Sequence, residues 1–286
     1  IDEVVKGLYG LEDPFAEGSK AALVKKLTDA VEGIVTVQDG NIFGATKVFL
    51  DGRRSKVRTE ETNLGNLTAD ANLAYAKSLD SSVVISLKNG GGIRAAIGEV
   101  IEVAPGEYIF GPPQANPLAG KEEGEISQLD INNSLRFNNG LTLLTLTARQ
   151  LLEVVEHGVA EFQKGNTPGS FPQIGGLQFG FSAKLPPGER VVFINLLDEA
   201  GEVAEEIVKG RALVVDPQNT YRVVTLNFLA DGGDGYPFPT NEAANRVDLF
   251  ENEAFSGASD FAGDGTEQDA LAEYLAANFV EKPFNK

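Results

Sequence analysis

Hydrophobic positions along the chain follow two different periods, which predict a mixture of helices and strands. After Ser19, whose hydroxyl is suited to cap a helix, apolar residues recur at helical spacing from Leu23 to Val31. We expect Gly33 to end this helix, because glycine commonly follows the last helical residue. Residues 34–37 are then expected to form a short strand. The helix has one apolar stripe, which could pack on this domain or bridge to a preceding one.

Three further helices are predicted by capping signals and apolar periodicity. One begins at Thr62 or the residue after it, the second follows a capping box formed by Thr147 and Gln150, and the third begins near Thr266. Apolar runs and alternating patterns predict the strands. They cover residues 45–50, 83–87, 141–146, 177–182, 191–197, 212–215 and 221–226. Residues 99–125, rich in proline, glycine and glutamate, are expected to form an insertion loop that could act as a flap.

A polar loop rich in glycine follows the buried strand at residues 83–87. It reads Lys-Asn-Gly-Gly-Gly-Ile-Arg over residues 88–94. Glycine tolerates unusual backbone angles and lets a ligand approach the main chain, and Arg94 offers a cation. Loops at the ends of buried strands are also where open α/β sheets place their binding sites. From this loop alone, an anion-binding loop and a glycine-rich turn with an incidental arginine both remain open.

A second loop repeats this arrangement later in the chain. The buried strand at 221–226 runs into Asn-Phe-Leu-Ala-Asp-Gly-Gly-Asp-Gly-Tyr at residues 227–236. Glycines again stand beside polar groups at the end of an apolar strand. Two such loops can converge at one edge of a sheet, so residues 88–94 and 227–236 could form one site.

Composition excludes several kinds of function. The 286 residues carry a net charge of −18, which argues against general binding to nucleic acid or to anionic membranes. An acidic protein that binds an anion must therefore use a few well-placed arginines. The chain has no cysteine, so disulfides, thiolate catalysis and cysteine zinc sites are excluded. Its one histidine, His157, is expected to be structural, and one histidine cannot supply a dinuclear hydrolytic metal centre.

Several residues in the loops carry side chains that could bind a ligand. Arg58 and Arg94 each present a guanidinium fork that can bind a phosphate in bidentate fashion, and Arg54 could add a third. Phe137 and Phe228 lie beside glycine or asparagine in loops. Two such rings could clamp a planar base, although both could instead belong to the core.

Two polar side chains extend this set. Asn89 has an amide that can donate to and accept from the edge of a base. Asp234 could accept hydrogen bonds from ribose hydroxyls, as acidic residues do in dinucleotide sites. Arginines, an aromatic pair, an amide and a carboxylate together suit a nucleotide.

Four motifs occur in a fixed order along the chain. They are Arg-x-x-Glu-x-Asn-Leu-Gly-Asn-Leu at 58–67, Asn-Gly-Gly-Gly-Ile-Arg at 89–94, Leu-Arg-Phe-Asn-Asn at 135–139 and the loop at 227–236. Together they resemble the C-terminal domain of the 5′-nucleotidase family, which includes UDP-sugar hydrolases and 2′,3′-cyclic-nucleotide phosphodiesterases. The resemblance implies an α+β fold in which a mixed β-sheet packs with helices. It also implies that this domain binds substrate, while a separate N-terminal metallophosphoesterase domain contains a pair of divalent metal ions and performs the hydrolysis.

The resemblance further implies eight substrate-binding residues and no catalytic or metal-binding residue in this chain. They are Arg54, Arg58, Asn89, Gly91, Arg94, Phe137, Phe228 and Asp234. The two phenylalanines would sandwich the base, and Asp234 would bind the ribose. Asn89 and Arg94 would bind substrate from the glycine loop, and Arg58 would contact its phosphate or sugar. Arg54 matches only some members of the family.

Two departures from the family pattern affect the expected site. Arg136 stands where the family usually has a proline, which changes the local turn, and the insertion at 99–125 could reshape the pocket and its specificity. The resemblance divides the chain into a linker segment with an interdomain helix at 1–44 and the substrate-binding domain at 45–286.

The function implied by the resemblance is nucleotide recognition within a 5′-nucleotidase-like hydrolase. Its expected partners are a nucleotide or nucleoside and the N-terminal domain of the same polypeptide, with no nucleic acid polymer, no membrane span and no cofactor in this chain. The chain begins at Ile1 rather than methionine, so we expect a fragment of a longer protein, inactive by itself. We expect the parent protein to be exported, to the periplasm or the exterior of a bacterium.

Two alternatives remain. The chain could be an independent enzyme in which Glu61, Asp231 and Asp234 bind Mg²⁺. It could also be a non-catalytic surface or ligand-binding module that keeps only the fold.

Overall fold

The computed structural model describes residues 2–9, 13, 15–250 and 261–286. The helices in these residues are α1 (Asp2–Tyr9), α2 (Lys20–Gly40), α3 (Arg54–Val57), α4 (Asn63–Leu79), α5 (Gln128–Ser134), α6 (Ala148–Ala160), α7 (Asn227–Ala230) and α8 (Glu267–Asn278). The strands are β1 (Ile42–Ala45), β2 (Val83–Asn89), β3 (Glu99–Ala104), β4 (Glu107–Gly111), β5 (Glu125–Ser127), β6 (Leu141–Thr147), β7 (Pro172–Gly175), β8 (Leu177–Phe181), β9 (Val191–Leu197), β10 (Val203–Lys209), β11 (Ala212–Leu213), β12 (Thr220–Leu226) and β13 (Val247–Asp248).

A five-stranded mixed sheet with the order β13-β6-β12-β2-β7 forms the centre of the fold. β12 and β2 are parallel, with Thr225 opposite Leu87, and the other three pairings are antiparallel. β2, β6 and β12 are mostly buried, as their apolar runs predict. Helix α4 packs along β2 and β7, and α6 packs against β6, β7 and β9. The predicted α+β fold with a mixed sheet is therefore confirmed.

Three smaller antiparallel sheets surround this centre. One has the order β11-β10-β9-β8, one is the hairpin of β3 and β4, and one pairs β1 with β5. The larger hydrophobic core joins the central sheet to α4, α6 and β9. A second core, which includes Leu64, Ile131 and Leu271, lies between α4, α5 and α8.

The parallel pairing of β2 with β12 positions the two glycine-rich loops. β2 ends at Asn89 and β12 at Leu226, and parallel strands direct their carboxyl ends to the same edge of the sheet. The loops that follow therefore leave the sheet side by side. This is the convergence that the repeated pattern of strand and glycine suggests.

Helix α2 is longer than the sequence predicts. It begins after Ser19, whose side chain accepts a hydrogen bond from a backbone N–H of the first turn, as expected. It continues to Gly40, so the predicted end at Gly33 and the predicted strand at 34–37 are wrong. A glycine inside a helix is unfavourable by only about 1 kcal/mol relative to alanine, so contacts elsewhere can outweigh it.

Contacts with the rest of the domain fix the end of α2. The carboxylate of Asp39 accepts hydrogen bonds from Lys121 (2.8 Å), Asn116 (2.8 Å) and Ser127 (2.7 Å). Burial alone would raise the pKa of Asp39, but these hydrogen bonds outweigh burial and lower it. Because its partners lie far along the chain, the local sequence around Gly33 does not reveal this anchor.

The apolar stripe of α2 is not covered by the described residues. Leu27 is 67% exposed, and Leu23, Val31, Ile34 and Val37 are also more than half exposed. Packing on this domain was one of the two expected roles of the stripe, and the described residues of the domain do not provide it. No helix in the described parts of the chain combines the length and the apolar character needed to cross a membrane.

Two further segments differ from their predicted structure. The strand expected at 45–50 lies earlier, at β1, and Thr46 and Leu50 form only isolated bridges. Residues 99–125 are not an irregular loop, because β3 and β4 form a hairpin closed by a turn with Gly106 at φ +80°. Both strands are largely exposed, so their sequences lack the alternation of apolar and polar residues that marks a half-buried strand.

The predicted helix starts, in contrast, are confirmed. Helices α4, α6 and α8 begin directly after their predicted caps.

Candidate functional site

A cavity of about 250 Å³ opens at the edge of the sheet where β2 and β12 end. Its lining residues are Arg58, Asn89, Gly91, Gly92, Arg94, Phe137, Asn139, Gly169, Phe228 and Asp234. The structure thus brings together every residue predicted from the sequence except Arg54. Their role in binding a ligand stays a prediction.

The three glycines after β2 pack against neighbouring backbone. They form one 3₁₀ turn, in which the N–H groups of Gly90 and Gly91 donate to the carbonyls of Phe171 (2.7 Å) and Gly169 (2.8 Å). A Cβ atom on Gly90 would overlap the carbonyl oxygen of Val57. None of the three glycines has a positive φ, so at Gly90 and Gly91 the close approach of neighbouring backbone, rather than an unusual backbone angle, requires glycine.

Arg58 and Arg94 reach the cavity without a carboxylate partner among the described residues. Arg58, which follows α3, is 7% exposed, and its Nη1 donates to the carbonyl of Thr167 at 3.3 Å. Arg94 is exposed, donates from Nη1 to the carbonyl of Gly91 at 3.2 Å, and lies 5.4 Å from the ring centre of Phe137. Buried charges in proteins are normally paired, so the unpaired Arg58 guanidinium is available to an anion. Arg94 is available because its guanidinium is exposed at the cavity.

Positive charge is concentrated at this corner of an acidic protein. Burial lowers the pKa of the Arg58 guanidinium, and the charges of Arg54 and Arg94 lower it further, while Asp234 acts in the opposite direction. Arginine nevertheless remains protonated in proteins. Arg54 is exposed at the start of α3 and acts on Arg58 through its charge, but it does not line the cavity.

Asp234 is bound from two sides. Its Oδ2 accepts a hydrogen bond from Asn89 Nδ2 at 2.6 Å, and its backbone carbonyl accepts one from His157 Nε2 at 2.8 Å. These contacts stabilise a left-handed backbone, with φ +50°, that is uncommon outside glycine. The ring of His157 also packs on Tyr236, with 4.9 Å between ring centres. His157 therefore has the expected structural role, because it binds the backbone of Asp234, while Asn89 holds the carboxylate.

Both aromatic residues of the predicted site expose their rings at the cavity. Phe137 is 60% exposed and Phe228 is 43% exposed, so neither belongs to the core. Gly233 backs the Phe228 ring closely, since a Cβ atom there would overlap the ring. Exposed aromatic faces beside a cavity can stack against a planar group.

The sequence analysis assigns no role to three of the lining residues, Gly92, Asn139 and Gly169. Gly92 lies in the glycine loop, between the predicted residues Gly91 and Arg94. Asn139 lies in the motif at 135–139, two positions after Phe137, so the motif itself contained the signal. Gly169 precedes β7 and joins the site through the hydrogen bond from Gly91. That contact links distant parts of the chain, and no local pattern indicates it.

The three carboxylates considered as a magnesium site have separate partners. Glu61 accepts from Asn66 at 2.6 Å, Asp231 pairs with Arg246 at 2.6 Å, and Asp234 accepts from Asn89. Within the described residues, no three histidine, aspartate or glutamate side chains are grouped so that they could bind a metal ion. The described residues therefore offer no such group for a metal centre.

A larger cavity, of about 450 Å³, lies between α4 and the strands β7 and β8. Its walls include Glu61, Asp70 and Phe179 but no lysine or arginine and none of the predicted site residues. Burial raises the pKa of Asp70 to about 6, although the charge of Lys286 acts against this. No lysine or arginine among the described residues lines this acidic cavity, so we assign the candidate site to the smaller cavity.

Comparison with known families gives one match that spans most of the chain. A family described as "5′-nucleotidase, C-terminal domain" matches residues 42–241. All the residues that line the smaller cavity fall within this range.

Individual relatives extend this similarity. The trifunctional nucleotide phosphoesterase protein YfkN of Bacillus subtilis (strain 168) is 36% identical over 206 residues, which cover 72% of this chain and 12% of that protein. Human 5′-nucleotidase is 30% identical over 208 residues, which cover 70% of this chain and 31% of that protein. The crystal structure of the 5′-nucleotidase precursor from Thermus thermophilus aligns with a TM-score of 0.66 and 29% identity, covering 92% of this chain and 41% of that one. The chain thus spans less than half the length of each of these proteins.

Proposed function

The chain belongs to the family of 5′-nucleotidase C-terminal domains, and from this premise we propose that it is the nucleotide-recognition part of a larger phosphoester hydrolase. In this proposal the cavity at the ends of β2 and β12 binds the nucleotide. In the same proposal the chemical step takes place in another domain, and the described residues include no group of three side chains suited to a metal ion.

One observation supports the proposal most directly: two deeply buried polar atoms in the side chains that line the cavity have no hydrogen-bond partner among the described residues. They are Nε of Arg58 and Oδ1 of Asn89, in side chains that are 7% and 4% exposed. Buried polar atoms are nearly always hydrogen-bonded, and leaving one unpaired is unfavourable by about 1–3 kcal/mol. Both side chains line the cavity, and a small movement of each on binding would let a polar ligand supply the missing partners.

The side chains divide the cavity into regions that suit the parts of a nucleotide. Arg58 and Arg94 supply guanidinium groups for the phosphate, to which arginine binds in bidentate fashion. Asp234, fixed by Asn89 and by the backbone contact from α6, offers carboxylate oxygens to the ribose hydroxyls. Phe137 and Phe228 offer exposed ring faces to the base.

The remaining parts of the parent protein follow from the same proposal. We infer that residues 1–44 link this domain, residues 45–286, to an N-terminal metallophosphoesterase domain with two divalent metal ions. The exposed apolar stripe of α2 supports this, since a neighbouring domain would cover it. We also infer that the parent protein is exported from a bacterium, and a signal sequence encoded upstream of Ile1 would test that inference.

Calorimetric titration of the chain tests nucleotide recognition. Adenosine 5′-phosphate should bind more tightly than adenosine or ribose 5-phosphate, because only the whole nucleotide contacts both regions. Arg94→Gln should weaken binding of adenosine 5′-phosphate by about tenfold, as expected for one charge-assisted hydrogen bond, and should leave adenosine almost unchanged.

The matched control is Arg211→Gln, which removes the same charge from a surface pair with Glu189 outside the cavity. That variant should bind all three compounds like the unaltered chain. If adenosine 5′-phosphate does not bind at millimolar concentration, or if both arginine variants weaken it equally, nucleotide recognition by this cavity is wrong.

A further inference from the structure

A fully buried ion pair lies behind the cavity. Lys88 Nζ is 2.8 Å from Glu267 Oε2, and both side chains are 0% exposed. Lys88 immediately precedes Asn89 on β2, and Glu267 is the first residue of α8. Removing two charges from water opposes their attraction, so a buried pair adds little stability over apolar residues of similar size. This pair is therefore better explained by what it positions than by stability.

The carboxylate of Glu267 binds the loop that carries one of the cavity's aromatic rings. Its Oε1 accepts hydrogen bonds from the backbone N–H of Asn139 at 3.1 Å and from Nδ2 of the same residue at 2.8 Å. The backbone N–H of Glu267 donates to the Asn139 carbonyl at 2.9 Å. The next residue, Gln268, donates from its side chain to the carbonyl of Leu135 at 2.9 Å. The start of α8 thus fixes residues 135–139.

The ion pair also determines how the Asn139 amide is oriented. An ionised carboxylate only accepts hydrogen bonds, so the NH₂ group of Asn139 must face Glu267. The amide oxygen, Oδ1, then points away from Glu267. It makes no hydrogen bond to the described residues and is not among their buried side-chain atoms that lack a partner, so it is accessible. Asn139 lines the cavity with Phe137 and Phe228. The aromatic region of the cavity therefore presents a hydrogen-bond acceptor.

We propose that Lys88 and Glu267 are positioning residues that fix the Asn139 amide with its oxygen toward the cavity. The site consequently selects bases whose edge carries an N–H donor. This inference rests on the proposed nucleotide recognition and adds a rule for the choice of base. Glu267 lies outside residues 42–241, so the selectivity depends on a segment beyond the match to the family.

Comparison of adenosine with purine riboside tests the selectivity. The two nucleosides differ only in the exocyclic amino group, and without it the base edge carries only acceptors. The unaltered chain should bind adenosine about 2- to 10-fold more tightly, the range expected for one net hydrogen bond. Glu267→Gln should bring this ratio close to one, because a carboxamide can both donate and accept and no longer fixes Asn139 in one orientation. Glu281→Gln, which makes the same charge change at an exposed position, should leave the ratio unchanged.

If Glu267→Gln does not fold, the double variant Lys88→Met with Glu267→Met replaces it in the experiment. Replacement of a buried ion pair by apolar residues is commonly tolerated. The double variant should also bring the ratio close to one. Equal affinities of the unaltered chain for the two nucleosides would overturn the selectivity alone. If the folded variants keep the same preference for adenosine over purine riboside, the positioning role of Lys88 and Glu267 is overturned. Failure of both nucleosides and of adenosine 5′-phosphate to bind would instead overturn the proposed function, and this inference with it.

Discussion

Replacing Phe228 with alanine tests the aromatic region of the site. The ring is 43% exposed at the cavity and rests on Gly233. In the proposed complex, one face of the base lies against this ring. Phe228→Ala removes that surface and leaves Arg58 and Arg94 in place. We therefore expect weaker binding of adenosine and little change for ribose 5-phosphate, which has no base.

The size of the effect follows from the exposed area of the ring. With about 150–250 Å² for an aromatic side chain, the 43% exposed fraction leaves about 65–110 Å² for the base to cover. At about 25 cal/mol per Å², covering all of this area contributes about 1.6–2.7 kcal/mol. Stacking of a base on an aromatic side chain contributes about 1–3 kcal/mol, which agrees. The affinity for adenosine should therefore fall roughly 15- to 100-fold.

Calorimetry with adenosine, adenosine 5′-phosphate and ribose 5-phosphate measures this directly. Phe110→Ala is the matched control, because Phe110 is 40% exposed on β4 and lies outside the cavity. The control should bind all three compounds like the unaltered chain. Urea denaturation of both variants will show whether either substitution changes the stability of the fold.

Two results would refute stacking on Phe228. One is an unchanged affinity for adenosine in a folded Phe228→Ala variant. The other is an equal loss for ribose 5-phosphate, which would mean that the substitution disturbs the whole site rather than the base region.

Two further predictions concern stability. Burial raises the pKa of Asp70 to about 6 from an ordinary value of 3.8, so the folded state favours the protonated carboxyl and loses stability as pH rises through this interval. Asp70→Asn should be more stable than the unaltered chain above about pH 6, by at most about 3 kcal/mol. Urea denaturation at a series of pH values should show this difference vanish below about pH 4. A difference in stability that stays constant with pH would contradict the raised pKa of Asp70. Gly90→Ala should destabilise the fold by about 1–3 kcal/mol or more, because its Cβ would overlap the Val57 carbonyl. Gly33 lies inside α2 with open space around it, so Gly33→Ala should be neutral or stabilise the fold by about 0.5–1 kcal/mol. Thermal denaturation compares the two variants. A similar change in unfolding temperature for both would contradict the close packing of the glycine turn.

Local signals in the sequence predicted much of the fold. Thr62 caps α4, and Thr147 with Gln150 forms the expected capping box of α6, because both signals act within one turn of helix. The buried strands β2 and β12 are likewise marked by short, mostly apolar runs. The convergence of the loops after these strands could be anticipated, since each loop places glycines beside polar residues.

Contacts between distant parts of the chain could not be predicted. The end of α2 depends on Asp39 binding Lys121, so the local glycine gave a wrong boundary. Gly169 enters the site through the backbone of Gly91. The Lys88–Glu267 pair joins residues far apart in the chain, and no motif marks Glu267. Each of these features is determined by tertiary packing rather than by periodicity.

Mapping the binding of adenosine 5′-phosphate by NMR tests the central claim, that the smaller cavity recognises a nucleotide. The largest changes in backbone amide shifts should occur at Gly91, Gly92, Gly169 and Phe228, which line that cavity. Changes concentrated instead around Asp70 in the larger cavity, or no changes at millimolar ligand, would contradict it.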